Sequence, residues 1–232
     1  MDIKHLAYPE ALDLMRRLVA VKGSSDFPEV LITTEHEPVL TMGRRGGPED
    51  VVASATLLDQ AGVTVHHIER GGLVTYHGPG QLVVYPVFRL RALSLGVAAL
   101  VNSLEEAVMA ALGEYGLSAG RLAGHPGVWV GRRKIASLGL AVRRGVSFHG
   151  LSLNRAPDLN HFRLINPCGL EADRMTSMVD LLGGPVPDQP LRARLHHHLS
   201  RSFKINLIPW SLVEVRAALD EYEHHPTQAA LA

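Results

Sequence analysis

The stretch that decides the fold is residues 127–154, GVWVGRRKIASLGLAVRRGVSFHGLSLN. It contains three runs rich in β-branched and other apolar residues, at 128–130, 135–142 and 146–154. Short turns of glycine and arginine separate these runs, and strands joined by such short connections pair as antiparallel neighbours. The stretch therefore predicts three consecutive antiparallel strands.

Outside this stretch, helices and strands are mixed but do not alternate regularly. Apolar residues at three- and four-residue spacing predict helices, and short β-rich runs predict further strands. The predicted helices are 8–22, 97–115, 158–164, 190–205 and 210–223, and the predicted strands are 30–34, 38–42, 63–68 and 82–87. These elements predict an α+β fold, with a mixed or antiparallel sheet packed with helices.

The chain shows no internal repeat, low-complexity block or evident linker. We therefore expect a single domain over 1–223, in which 190–223 form a helical flank, followed by a frayed tail over 224–232. The chemically distinctive strings are spread from residue 70 to residue 170, and we expect one sheet to gather them.

The overall composition excludes several classes of function. The 23 basic and 23 acidic residues balance, so no overall charge attracts nucleic acid or an anionic membrane. One cysteine is too few for an intrachain disulfide or a thiolate metal site, and the consecutive His196, His197 and His198 would point about 100° apart on a helix. The first twenty residues lack the apolar core of a signal peptide, and no run approaches the length of a membrane span. We expect a cytoplasmic protein without a bound metal.

The single cysteine, Cys168, lies in the turn-like string Asn166-Pro167-Cys168-Gly169-Leu170, which is expected to present the thiol on a loop. A lone cysteine is more often a small buried apolar residue, and the alternative is a nucleophile. Lys134 could supply an ammonium that favours the thiolate and moves protons. The hypothesis we favour is acyl transfer through a thioester on Cys168.

A second string, ERGGLVTYHGPGQ at 69–81, combines glycines with a cluster of polar side chains. Its glycines allow a ligand to approach the backbone closely, and free N–H groups there could bind a carbonyl or an anion. The alternative interpretation is a tight hairpin built from glycine. The polar side chains favour a binding role; they are Arg70, Thr75, Tyr76 and His77.

His149 lies in the string SFHGLSLN at 147–154. Strand alternation places it on the same face as Leu151 and Leu153, which is typical of a hydrogen-bonded core histidine. The functional alternative is that His149 orients Lys134, Cys168 or a backbone loop at the mouth of an apolar slot.

Pairs of arginines recur near the predicted strand ends, at 44–45, 132–133 and 143–144. As turn residues they are most often simply solvated. In a chain without net charge they also suit the docking of an acidic protein partner.

Five strings in order, over residues 30–180, resemble the octanoyltransferases of lipoate biosynthesis. The chain departs from the family pattern at Arg121–Pro126, where many members have an Asp, and at Arg155, where an apolar residue is common. The matching strings begin at Arg70-Gly71-Gly72 and continue through Thr75–Leu82, then 127–130, 134–139, 149–154 and 166–169.

The resemblance implies a lipoyl(octanoyl) transferase with a fold similar to the catalytic domain of biotin and lipoate protein ligases. It implies transfer of an octanoyl group from octanoyl-acyl carrier protein to a lysine on lipoyl domains of 2-oxoacid dehydrogenases and on the glycine cleavage H protein, without a cofactor. Cys168 matches the nucleophile, and Lys134 matches the lysine that lowers the pKa of that cysteine. The substrate contacts that the resemblance implies are Arg70, Gly71, Gly72, Leu73, Val74, Thr75, Tyr76, His77, Ser137, Leu138, Gly139, Gly150, Leu151 and Ser152. We add His149 to this set because of the functional alternative described above for its string.

Two other functions stay open on the sequence. One is an ATP-dependent lipoate or biotin protein ligase, because Met42–Gly47 faintly resembles a ligase glycine–arginine loop. The other is a non-catalytic acyl-binding protein of the same fold, which would leave Cys168 unmodified.

Overall fold

The computed structural model describes residues 1–166 and 172–224. No helix within these residues combines the length and the apolar character needed to cross a bilayer. The α-helices are α1 (Tyr8–Lys22), α2 (Ala55–Gln60), α3 (Val97–Gly113), α4 (Met178–Leu182), α5 (Asp188–Phe203) and α6 (Leu212–His224). The strands are β1 (Val30–Thr34), β2 (Val39–Met42), β3 (Thr64–His67), β4 (Val74–His77), β5 (Gln81–Val87), β6 (Gly120–Leu122), β7 (His125–Val130), β8 (Arg133–Arg143) and β9 (Val146–Asn154).

The main sheet has six strands in the order β1-β5-β9-β8-β7-β6, and all neighbouring strands are antiparallel. The stretch 127–154 forms β7, β8 and β9, as its pattern predicts. Arg144 and Gly145 join β8 to β9, and both have a positive φ, of 52° and 77°. A two-residue hairpin with this backbone matches the right-handed twist of its strands.

Helices cover both faces of the main sheet. On one face, α1 and α6 pack over β1, β5 and the N-terminal end of β9. Met15 and Leu18 of α1 and Val215 of α6 belong to the same buried cluster as Tyr85 and Phe148. On the other face, α3 and α5 form a second core with β5, β8 and β9. The predicted α+β class, with an antiparallel sheet packed by helices, is confirmed.

A second, three-stranded sheet has the order β3-β2-β4, with β2 parallel to β3 and antiparallel to β4. The expectation that one sheet gathers all the distinctive strings is wrong, because β4 lies inside the string 69–81. This strand is only four residues long and lies between glycines, so the glycine pattern hid its β character. Its outer face, with Val74 and Tyr76, packs on Phe162 in a separate small core.

The C-terminal helices are part of the packing of the main sheet. Leu191, Leu195 and Leu199 on α5 are fully buried against α3, and Leu219 on α6 is buried on the α1 side. The segment predicted as a helix over 158–164 is a 3-10 helix, Leu159–Leu164. Of the tail predicted over 224–232, only His224 is described, as the last residue of α6.

Candidate active site

A cleft lies between the inner face of the small sheet, the α1 face of the main sheet and α1 itself. It encloses about 410 Å³, including its open mouth. Ten of the residues expected to contact substrate line it: Arg70, Thr75, His77, Ser137, Leu138, Gly139, His149, Gly150, Leu151 and Ser152. The two sheets therefore bring together strings that lie far apart in the sequence.

Four lining residues were not predicted from the sequence: Tyr8, Ile68, Val83 and Tyr85. The alternation of side chains along β5 could have indicated Val83 and Tyr85 as residues of one cleft-facing side, because residues two apart in a strand point to the same face. No comparable signal distinguished Tyr8, which begins α1.

The other predicted contact residues lie outside the cleft wall. Val74 and Tyr76 point to the opposite face of β4, into the core around Phe162. The N–H of Gly71 donates to the carbonyl oxygen of Leu140 at 2.9 Å, and the carbonyl of Leu73 accepts from the N–H of Gly43 at 2.8 Å. Gly71, Gly72 and Leu73 thus belong to the loop that fastens the small sheet to β8.

Arg70 is buried and holds this loop against β2. Its guanidinium donates to the Thr41 hydroxyl at 3.1 Å and to the Thr41 carbonyl, and to the carbonyl of Gly71 at 3.0 Å. A Cβ at Gly139 would lie 3.0 Å from both Arg70 Cδ and the Gly71 oxygen. Glycine at 139 is therefore what allows the loop to cross β8 so closely.

A chain of buried hydrogen bonds connects His77 in the cleft to the backbone of Lys134. His77 Nδ1 donates to Gln81 Oε1 at 3.1 Å, and Gln81 Nε2 donates to Asn154 Oδ1 at 3.0 Å. Asn154 Nδ2 donates to the Thr176 carbonyl at 2.9 Å, and the Thr176 N–H donates to the Lys134 carbonyl at 3.0 Å. Burial lowers the pKa of His77 to about 3, so its ring is neutral at physiological pH.

His149 does not share a face with Leu151 and Leu153, so that expectation is wrong. Its φ is 57°, in the left-handed region, which interrupts the alternation of β9. The ring lies 4.7 Å from the ring of Phe148, on the α1 side, whereas Leu151 and Leu153 belong to the core beneath α3 and α5. Burial lowers the pKa of His149 to about 4, and the neutral ring lines the cleft.

Lys134 lies near the start of β8 and is 4% exposed. Its Nζ is 5.5 Å from the centroid of the Trp129 ring, and the Arg174 guanidinium lies 5.3 Å from the same ring. A Cβ at Gly127 would lie 2.6 Å from Lys134 Cε. Glycine at 127 therefore leaves the room in which the lysine side chain lies.

Cys168 lies outside the described residues. The chain that follows its string is fixed beside Lys134, because Met175 pairs with Lys134 as a parallel bridge. Before the string, the N–H of Asn166 donates to the carbonyl of Asp50 at 2.8 Å.

Both departures from the family pattern have ion-pair partners. Arg121 donates to Glu105 at 2.6 Å, and the other oxygen of that carboxylate accepts from the Gly127 N–H at 2.9 Å. Arg155 Nη2 lies 3.4 Å from Glu35 Oε1. The second oxygen of that carboxylate, Oε2, accepts from the Gly80 N–H at 2.7 Å. Each arginine therefore supports a carboxylate that accepts from a glycine N–H, that of Gly127 within β7 and that of Gly80 in the turn before β5.

Within the described ranges, no group of three His, Asp, Glu or Cys side chains is placed to hold a metal ion. His196 and His198 have separate partners: Nε2 of His196 lies 2.8 Å from the Thr33 hydroxyl, and Nε2 of His198 contacts Glu114.

The fold has counterparts among known proteins. The chain matches the family described as the lipoyl protein ligase A/B catalytic domain over residues 7–200. It is similar in fold to a crystal structure of lipoate-protein ligase A bound with ATP, with a TM-score of 0.73 and 17% identity, covering 100% of this chain and 96% of the ligase. It is also similar to a bipartite lipoate protein ligase from Thermoplasma acidophilum, reported with its E2 lipoyl domain, with a TM-score of 0.69 and 16% identity, covering 100% and 98%.

Closer relatives in sequence are named octanoyltransferases. The one from Syntrophobacter fumaroxidans is 40% identical over 221 residues, which cover 95% of this chain and 97% of the relative. The one from Xanthomonas campestris pv. campestris is 48% identical over 181 residues, which cover 78% and 75%. The chain therefore belongs to the lipoyl protein ligase A/B catalytic family. Within that family it groups with the octanoyltransferases, and it is an acyltransferase.

Proposed function

We propose that this acyltransferase moves an octanoyl group from octanoyl-acyl carrier protein to the lysine of lipoyl domains, through a thioester on Cys168. The observation that supports it most is the position of the cleft relative to Lys134. Ser137, which lines the cleft, is only three residues beyond Lys134 on the same strand, β8. The names of the relatives support the acyl group. The shared fold of a ligase reported with an E2 lipoyl domain supports lipoyl-domain acceptors, including those of 2-oxoacid dehydrogenases and the glycine cleavage H protein.

In this proposal the octanoyl chain lies in the cleft, with its carbonyl toward Lys134. Ile68 and Val83 line the cleft and offer apolar contacts. Each methylene removed from water contributes about 0.8 kcal/mol to binding, which favours a chain that fills the available length.

The first step would be attack of the Cys168 thiolate on the carbonyl carbon of the donor thioester. A new C–S bond forms to Cys168 while the bond to the pantetheine sulfur breaks. The Lys134 ammonium gives its proton to the departing thiolate. The enzyme then holds the octanoyl group as a thioester, and Lys134 is a neutral amine.

In the second step, the amine of the acceptor lysine attacks this thioester. The C–N bond forms as the bond to Cys168 breaks, and Lys134 accepts the proton that the attacking nitrogen loses. The step restores the thiolate and the ammonium. Because a thioester is converted to an amide, the sequence runs downhill without ATP.

Backbone N–H groups would stabilise the oxyanion in both steps, each worth about 3 kcal/mol. The Gly71 N–H is unsuitable because it already donates to the Leu140 carbonyl. The Ser137–Gly139 segment lines the cleft and pairs with Gly150–Ser152 of β9, so the remaining candidate donors are those of its N–H groups that do not bond to β9.

The experiment that tests this function supplies the octanoyl group in two forms to the purified protein and an apo lipoyl domain. Octanoyl-acyl carrier protein without nucleotide should give octanoylated lipoyl domain by mass spectrometry, and a lipoyl domain without its target lysine should gain nothing. Transfer only from free octanoate with ATP and Mg²⁺ would instead establish a ligase. If the lipoyl domain gains no octanoyl group from either form, the result would instead favour a non-catalytic acyl-binding protein.

A further inference from the structure

A β-bulge in β8 turns the Lys134 side chain toward the cleft face of the main sheet. Lys134 pairs with Trp129 of β7. The next pair along joins Ala136 to Val128, so Ile135 is an extra residue between the two pairs. Val128 and Ala136 both belong to the core beneath α3 and α5. Because successive residues of β7 point to opposite faces, Trp129 and its partner Lys134 point to the other face, where the cleft lies.

The Lys134 side chain extends over β7. A Cβ at Gly127 would lie 2.6 Å from Lys134 Cε and 3.3 Å from Nζ, so the ammonium lies above Gly127. Because Val128 pairs with Ala136, the preceding residue, Gly127, is level with Ser137 on β8. The ammonium therefore lies at the β7 end of a row of residues that crosses the sheet through Ser137.

This row has small residues in its middle. Ser137 on β8 pairs with Ser152 on β9, and Ser152 pairs with Val83 on β5. All three residues line the cleft. The two serines leave a low floor over β8 and β9, and Val83 is the first branched side chain along the row. The row therefore forms a groove within the cleft that begins at the Lys134 ammonium and ends at Val83.

The neighbouring level of β8 is covered. A Cβ at Gly139, two residues beyond Ser137, would lie 3.0 Å from both Arg70 Cδ and the Gly71 oxygen. The loop that carries Arg70 therefore lies directly over β8 at that level. An acyl chain that starts near Lys134 is thus directed across the sheet and along the groove.

Buried rings enclose the groove where it ends at Val83. Gln81 and Tyr85 lie two residues before and after Val83 on β5 and share its face. Gln81 Oε1 accepts from His77 at 3.1 Å, and the Tyr85 hydroxyl lies 2.8 Å from His36 Nε2. The rings of His36 and His77 are 6.1 Å apart, and all of these side chains are buried. The Val83 end is therefore a wall.

The length of the groove matches an eight-carbon chain. Neighbouring strands lie about 4.8 Å apart, so the three spacings from β7 to β5 span roughly 14 Å. An extended chain advances about 3.8 Å for every three bonds, so the seven C–C bonds of an octanoyl group span about 9 Å. The remaining distance of roughly 5 Å equals a hydrogen bond of about 3 Å from the ammonium to the reacting sulfur plus one C–S bond.

We propose that Val83 sets the longest acyl chain that the enzyme transfers efficiently, as the end wall of the groove over Ser137 and Ser152. This deepens the proposed function and rests on its acyl transfer. A chain of eight carbons reaches Val83 and is removed from water along its whole length. Six carbons leave the apolar end of the groove uncovered, and ten carbons collide with the wall. The wild-type enzyme should therefore prefer octanoyl donors to hexanoyl and decanoyl donors.

The test measures relative kcat/KM values for hexanoyl, octanoyl and decanoyl pantetheine thioesters in competition, with an apo lipoyl domain as acceptor. Val83→Ala removes two carbon atoms from the end wall and should raise the ratio of decanoyl to octanoyl transfer at least fivefold. Val84→Ala is the matched control, because it makes the same change at the next residue of β5, which is equally buried but faces the core beneath α3 and α5. The control should leave the ratio unchanged.

Val83→Leu gives a second readout of opposite sign. It moves the wall toward Lys134 and should raise the ratio of hexanoyl to octanoyl transfer at least fivefold. An unchanged decanoyl ratio in Val83→Ala, an equal rise in Val84→Ala, or equal transfer of all three chains by the wild-type enzyme would overturn the end wall while octanoyl transfer persists. Failure of the wild-type enzyme to transfer any of the three acyl groups would overturn the proposed function itself.

Discussion

At position 127 the backbone has a φ of 122°, a conformation that side chains other than glycine rarely adopt. A Cβ there would lie 2.4 Å from the carbonyl oxygen of Ala136 and 2.6 Å from Lys134 Cε. The Gly127 N–H is fixed by Glu105 at 2.9 Å. The position of the Lys134 side chain therefore depends on the absence of a single carbon atom.

Gly127→Ala should displace Lys134 and lower the transfer rate at least tenfold, in addition to destabilising the protein. Gly131→Ala is the matched control, because Gly131 also has a positive φ, of 59°, but nothing lies within 4 Å of its added Cβ. It should cost only about 1 kcal/mol of unfolding free energy and leave transfer intact. Both are measured by thermal unfolding and by transfer rates well below either melting temperature. Equal rates for the two variants would show that Gly127 does not position Lys134.

At the scale of elements, β8 links the two ends of the site. It has eleven residues, so its ends are roughly 35 Å apart. Arg132 lies in the turn before β8, two residues from Lys134, and Arg143 is the last residue of the strand. The arginine pairs at the two ends of β8, 132–133 and 143–144, therefore cannot belong to one small docking surface. Of these two pairs, the one at 132–133 lies at the Lys134 end of β8.

Arg132→Glu should slow transfer from octanoyl-acyl carrier protein about tenfold but spare transfer from octanoyl pantetheine, because the docking hypothesis places an acidic face of the carrier protein, which the small donor lacks, on this arginine pair. Arg143→Glu makes the same change of charge at the far end of β8, and both donors should react at wild-type rates. The measurement is kcat/KM for each donor at low and high salt. If the two variants slow the carrier-protein donor equally, or if Arg132→Glu slows both donors alike, the docking surface is not at this end.

At the scale of the whole molecule, the sequence predicted most of the elements but not their division between two sheets. The hairpins in 127–154 followed from strong local patterns, and so did α1 with its stripe at Leu12, Met15 and Leu18. The small sheet was missed because β4 is short and has glycines on both sides. Its pairing with β2 and β3 depends on contacts that are distant in the chain.

The same contrast holds for the site. Strings rich in glycine and polar residues identified most of the cleft wall, because close approach and hydrogen bonding need those residue types. Tyr8 could not be predicted, since it comes from a helix start about 60 residues away from the nearest string. The face of His149 was predicted wrongly because period-two alternation assumes an extended backbone, and nothing local in the sequence marked the left-handed φ.

The central claim is that an acyl group passes through Cys168. It is tested most directly by the intact mass of the purified protein after incubation with octanoyl-acyl carrier protein, before and after hydroxylamine treatment, for wild type and Cys168→Ser. The account predicts one octanoyl increment on the wild-type chain, removed by hydroxylamine and absent from the variant, together with loss of transfer in the variant. An increment that remains in Cys168→Ser, or transfer by that variant at the wild-type rate, would contradict it.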